Sequence, residues 1–151
     1  MSAFDSLFRS ANAANLALLE SELEAAATNL VINASGTLQS TTGTISGILS
    51  QSVTLAADDI LHVRGKLTLS SSLATNAAAL KLIVNSVEVD VCEAHDLPVI
   101  VTGQGDLLAV EAMIYDLSGS IPVRMDLLLT SGGGTIYTKR QTLIATVTKR
   151  K

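Results

Sequence analysis

The chain is predicted to be mainly β, an antiparallel two-sheet jelly-roll sandwich with an N-terminal α-helical arm, on three observations. Over the first thirty positions apolar residues recur in steps of three and four, the spacing of one helix face. From Leu30 onward they alternate with polar residues instead, in runs separated by Gly-, Ser- and Asp-rich turns at the spacing of a β-sandwich. No segment of this second part is a helix long enough to cross between parallel strands, which excludes a parallel α/β sheet. The expected organisation is an arm over residues 1–29 and a sandwich over residues 30–151.

The arm opens with Ser2 and Asp5 at capping-box spacing, where each side chain satisfies a free backbone N–H of a helix start. Phe4, Leu7, Phe8 and Ala11 form one stripe, and Leu16, Leu19, Leu23, Ala26 and Leu30 continue it. No glycine or proline precedes Gly36, and the alanine content favours helix through at least Ala27. Glu20, Glu22 and Glu24 fall in the C-terminal half, where the macrodipole disfavours negative charge. The seam is too short for a self-sufficient coiled coil, so the helix either packs on its own domain or is an arm that pairs with sister subunits or docks on a larger assembly.

The clearest strand is Leu61-His62-Val63-Arg64-Gly65-Lys66-Leu67-Thr68-Leu69, with apolar residues or glycine at every odd position and polar residues at every even one. Leu80, Leu82 and Val84 alternate next, Asn85-Ser86 supplies a two-residue turn, and Val87, Val89 and Val91 return. Leu97 to Thr102, Leu107 to Tyr115, Ile121 to Thr130 and Thr135 to Val147 follow, while Leu30 to Ile32, Thr44 to Leu49 and Val53 to Ala57 are weaker candidates upstream. Roughly eight to ten strands in about 120 residues fit a jelly roll or another Greek-key sandwich, with a closed eight-stranded barrel as the alternative.

Two runs break the alternation. Leu107 to Ile114 reads Leu, Leu, Ala, Val, Glu, Ala, Met, Ile, and Leu127-Leu128-Leu129 is apolar on both faces. An antiparallel strand with two apolar faces needs cover on both sides, and one sandwich supplies cover on one. Either the arm or the segment 36–49 lies over the outer face, or a second copy does. The second reading predicts a homo-oligomer with Leu107, Ala109, Met113 and Leu128 in its interface.

Composition agrees. The chain has 151 residues, 48% of them hydrophobic, yet its only aromatics are Phe4, Phe8, Tyr115 and Tyr137. That apolar content excludes a disordered chain. Charged residues are 16%, against roughly 25% in an average soluble domain, so some surface is expected to be hidden from water. No window is long enough for a membrane-spanning helix, and the N-terminus lacks a basic region followed by an apolar one, so neither a membrane nor the secretory route is expected. A single cysteine, Cys92, excludes an internal disulfide, and the sequon Asn33-Ala34-Ser35 is read as carrying no glycan.

No catalytic, cofactor-binding or metal-binding residue is predicted. Cys92-Glu93-Ala94-His95-Asp96 gathers a thiol, an imidazole and two carboxylates, but nucleophilic catalysis needs a base within hydrogen-bond reach, an orienting group and oxyanion donors. A zinc site needs about four ligands at set spacing, and there is one cysteine. His62 occupies an outward position of a strand whose outward neighbours are Arg64 and Lys66, and is read as solvated. Gly103-Gln104-Gly105-Asp106 is followed by a strand rather than by the helix N-terminus of a phosphate loop. The net charge of −4 and a pI near 5.0 disfavour nucleic acid, although Lys139, Arg140, Lys149, Arg150 and Lys151 hold half of all the basic residues. Those residues fit a solvated tail or an acidic partner surface such as Glu20, Glu22 and Glu24 of a neighbour. Glycan binding is the competing reading, weakened because sugar platforms are aromatic and the body has only Tyr115 and Tyr137.

Over residues 50–147, including Ile60-Leu61-His62-Val63-Arg64-Gly65-Lys66-Leu67 and Leu80-Lys81-Leu82-Ile83-Val84-Asn85, the chain resembles the small jelly-roll structural proteins of tailed bacteriophage virions. These are capsid decoration or cement proteins and fibre or baseplate modules. The resemblance implies a non-enzymatic virion component, most simply a homotrimeric decoration or cement protein whose N-terminal segment engages the major capsid protein or another virion protein. It makes Phe4, Leu7, Phe8, Leu16, Leu19 and Leu23 the attachment residues. A tail-fibre or baseplate module binding a receptor or glycan is the alternative it implies.

Overall fold

The structure, a computed structural model, describes residues 27–100 and 105–149, and the side chains of those from Ala34 on. The N-terminal helix expected over the arm, with Phe4, Leu7, Phe8, Leu16, Leu19 and Leu23, lies outside the described residues. Its expected C-terminal boundary is corrected: β1 spans Ala27–Ser35 and so begins inside the stretch assigned to the arm. Helix propensity at Ala27 yields there to backbone pairing with the last strand, a tertiary override of a weak local preference.

The remaining strands are β2 (Gln39–Thr41), β3 (Thr44–Leu55), β4 (Asp59–Ser71), β5 (Ala77–Val84), β6 (Val87–Ala94), β7 (Asp106–Ile114), β8 (Gly119–Ser131) and β9 (Ile136–Lys149). They form two antiparallel sheets, one in the order β1-β9-β4-β7 with β2 also on β9, the other β3-β8-β5-β6. The pairing is nested: β1 with β9, β3 with β8, β4 with β7 and β5 with β6. Rolling that long hairpin up adds the β4–β9 and β5–β8 pairs. The result is the winding of a jelly roll, with successive arms dealt to two packed sheets.

Turn chemistry accounts for the register. Asn85 and Ser86 both take positive φ, 51° and 66°, as a two-residue hairpin of type I′ requires. Asp58 turns at φ 72°, and the Asp59 carboxylate accepts the Ala56 N–H at 2.8 Å. In β4 every odd residue from Leu61 to Leu69 is buried, as its alternation predicts, and these side chains meet Leu80 and Leu82 of β5, Met125 and Leu127 of β8 and Leu143 of β9 between the sheets. Gly65 occupies an inward position because Met125 fills the space its side chain would need: a Cβ there would stand 2.2 Å from Met125 Sδ.

Three expected strands differ. Thr44 to Leu49 and Val53 to Ala57 are one strand, β3, interrupted by a bulge between Ile45 and Leu49. Gly47 turns that bulge at φ 65°, and the carboxylate of Asp126 on β8 holds it, accepting the Gly47 N–H at 2.8 Å and the Ser46 hydroxyl at 3.3 Å while Arg124 Nε donates from 3.1 Å. Removing that carboxylate strands a partly buried amide, so Asp126→Ala is expected to cost about 2 kcal/mol in urea unfolding. The run Leu97 to Thr102 is no strand over its described part. Leu97 instead plugs one end of the core, tied by its N–H to the Asn76 carbonyl at 3.2 Å, while Ser71 N–H donates to Pro98 O at 2.8 Å.

Candidate interaction surface

The nested winding leaves β6 at the edge of one sheet and β7 at the edge of the other, and the two edges lie side by side along one flank of the sandwich. A free edge offers unpaired backbone groups to any passing strand. Here Asp90 of β6 blunts it: Oδ2 accepts the Glu111 N–H of β7 at 2.8 Å, while Oδ1 accepts the Val91 N–H at 2.9 Å. The carboxylate thus bridges the two sheets at their margin.

Five of the seven large exposed apolar side chains among the described residues belong to these two edge strands or follow β7 directly; Leu38 and Leu73 lie elsewhere. On β7, Leu108 and Val110 point into the core, and the intervening positions face water: Leu107 is 66% exposed and Met113 54%. Ala109 between them is also exposed. Val87 and Val91 on β6 are 60% and 42% exposed, and Tyr115, just past β7, is 48%. Of the residues read from sequence as an interface, the structure therefore brings Leu107, Ala109 and Met113 together on one outer face. Leu128 is not with them. It sits half-buried on the outer face of the other sheet, at the register of Thr44 and Ala79, while Leu127 belongs to the core and Leu129 packs against it.

Val91 was missed as an exposed residue because the alternation of β6 reads as one core-facing row. A bulge opposite Leu82 and Ile83 breaks that row. Past the bulge Val91 lies opposite Lys81, on the outer face, and Cys92 lies opposite Leu80, against the core. A bulge of this kind leaves no signal in a run that alternates through it.

Charge is divided along the same flank. β4, paired to β7, presents Arg64 opposite Glu111 and Lys66 opposite Ala109, both cations exposed. Arg64 and Lys66, together with Lys139 and Arg140 of β9, form no ion pair among the described residues. A groove of about 280 Å³ runs between Arg64 and Lys66 over Ala109, bordered by Glu111, Thr142 and Ile144. His62, expected to be solvated, is instead half-buried and hydrogen-bonded to Glu111 across the β4–β7 pair. β6 is acidic, with Glu88, Asp90 and Glu93. Glu88 lies 2.7 Å from Lys81 Nζ and holds that ammonium above its usual pKa, first by its hydrogen bond and then by its charge.

The segment of Cys92 and His95 separates its groups. Cys92 packs against the core, whereas His95 is exposed and stands 3.9 Å from Glu93. The loop read as a turn, Gly103-Gln104-Gly105-Asp106, is described only from Gly105.

No family model matches the sequence, and no curated protein is significantly similar to it. Solved structures do match the sandwich. The subviral particle of infectious bursal disease virus VP2 superposes with a TM-score of 0.52 and 15% identity, over 80% of this chain and 33% of that one. The T=1 particles derived from infectious bursal virus give a TM-score of 0.52 and 17% identity, over 81% and 32%. A family 35 carbohydrate binding module from Clostridium thermocellum superposes at 0.42 with 9% identity, over 76% and 97%. The chain spans about a third of the length of the capsid proteins it matches. What it shares with them is the jelly-roll fold.

Proposed function

We propose that the chain is a non-enzymatic structural protein of a tailed-phage virion, a homotrimeric decoration or cement protein that clamps the particle. The observation that carries this reading is the set of exposed apolar side chains on the two edge strands and just past β7, Val87, Val91, Leu107, Met113 and Tyr115. Each such side chain, buried between copies, contributes roughly 1.5–3 kcal/mol before the cost of association is subtracted. A fold shared with viral capsid proteins supports the setting. Three linked attachment segments then act at high effective concentration, so weak individual contacts with the shell add up to firm attachment.

Light scattering on the full chain is expected to give the mass of a trimer, and a stable monomer would remove the proposal. Deleting residues 1–26, which precede β1, is expected to leave the trimer intact and abolish co-sedimentation with purified phage heads. Co-sedimentation at the original level would show that attachment lies elsewhere.

A further inference from the structure

A trimer has no two-fold axis between its subunits, so its contact must join two different surfaces of the chain. We propose that these are the acidic outer side of β6 on one copy and the basic groove between β4 and β7 on the next. The proposal rests on the oligomeric reading above and names its two halves.

Charge complementarity selects them. The groove carries Arg64 and Lys66 with no ion-pair partner among the described residues, its one carboxylate, Glu111, is hydrogen-bonded to His62, and its floor is the small side chain of Ala109. Val91 and Glu93 are two residues apart on β6, lie opposite Lys81 and Ala79, and so share the outer face. An apolar side chain followed by a carboxylate is what a basic groove with an apolar floor accepts: Val91 over Ala109, and Glu93 towards Lys66 or Arg64. Leu107 and Met113, at the two ends of the same strand face, extend the apolar contact on either side. A contact of groove with groove would set four cations against only two carboxylates, and one of β6 with β6 would set its acids together in excess over Lys81. Both are repulsive at short range in low salt.

The test is charge exchange, read by light scattering at about 0.1 M salt. Arg64→Glu with Lys66→Glu, and separately Glu88→Lys with Glu93→Lys, are each expected to convert trimer to monomer. Reversing Glu88 also frees Lys81, so that side of the protein becomes strongly basic. All four substitutions in one chain restore opposite charges across the contact and are expected to restore the trimer. As a variant independent of charge, Ala109→Trp fills the groove and is expected to give monomer. Arg64, Lys66, Glu88, Glu93 and Ala109 are all exposed, so circular dichroism is expected to remain that of the parent. A trimer that survives either charge reversal or the groove-filling tryptophan overturns the assignment of surfaces but leaves the oligomer standing. A parent chain that is itself monomeric overturns the oligomeric reading as a whole.

Discussion

Gly65→Val is expected to lower stability by about 3 kcal/mol, a drop in Tm on the order of 10 °C for a domain of this size. Gly65 lies midway along β4 with its inward side against the opposite sheet, where a Cβ would come within 2.2 Å of Met125 Sδ, 3.1 Å of Met125 Cγ and 3.2 Å of Val110 Cγ2. Met125 is fully buried and has no solvent to move into. The valine branches add further volume to a core that is already close-packed. Thermal melts at fixed protein concentration measure the loss. Shortening the opposing side chain, Met125→Ala, removes the clash. The double variant is therefore expected to be more stable than the sum of the two single losses predicts, because the residues share one volume. Additive losses would mean that the two residues are not in contact.

The same glycine shows how much of the fold could be read from sequence. Period-two alternation placed β4 correctly because both neighbours of that strand lie in its own sheet and the strand runs from turn to turn without a bulge over Leu61 to Lys66. It also placed Gly65 inward, but gave no reason for a glycine there. The reason, Met125, is 60 positions away in sequence and sits on the other sheet. Asn85-Ser86 was legible because the residues of a two-residue turn carry its geometry locally.

What local pattern could not supply is registry between distant strands. Gly47 and Asp126 make one bulge from two sites far apart in the chain, so β3 reads as two weak pieces. β6 has its own bulge, and Val91 past it therefore reads as part of a core row although it faces water. The candidate interface was half legible for the same reason. Doubly apolar β7 announced an outer face without cover, but the identical pattern in Leu127 to Leu129 belongs to a strand lying between β3 and β5, where Leu128 is half-covered by its neighbours. An edge strand and a central strand can carry the same letters, and only the topology tells them apart.

Adjacent residues on β7 are expected to give opposite phenotypes, and this contrast separates packing from assembly. Leu108 is 1% exposed and belongs to the core; Leu107 is 66% exposed. Leu108→Ser removes buried hydrocarbon and introduces a hydroxyl into the core, at an expected cost of about 3–5 kcal/mol, enough to unfold much of a marginally stable chain. Leu107→Ser with Met113→Ser touches only side chains that stand in water in a single copy, so the folded monomer is expected to change by about 0.5 kcal/mol or less. In the assembled state the same pair gives up roughly 1.5–3 kcal/mol at each residue, which weakens each subunit contact about 10²–10⁴-fold. Sedimentation across a dilution series measures the association, and urea unfolding of the dissociated chain measures the fold. A double serine variant that assembles as tightly as the parent would show that β7 contributes nothing to the contact. One that unfolds like Leu108→Ser would show that its outer face is already covered within one molecule.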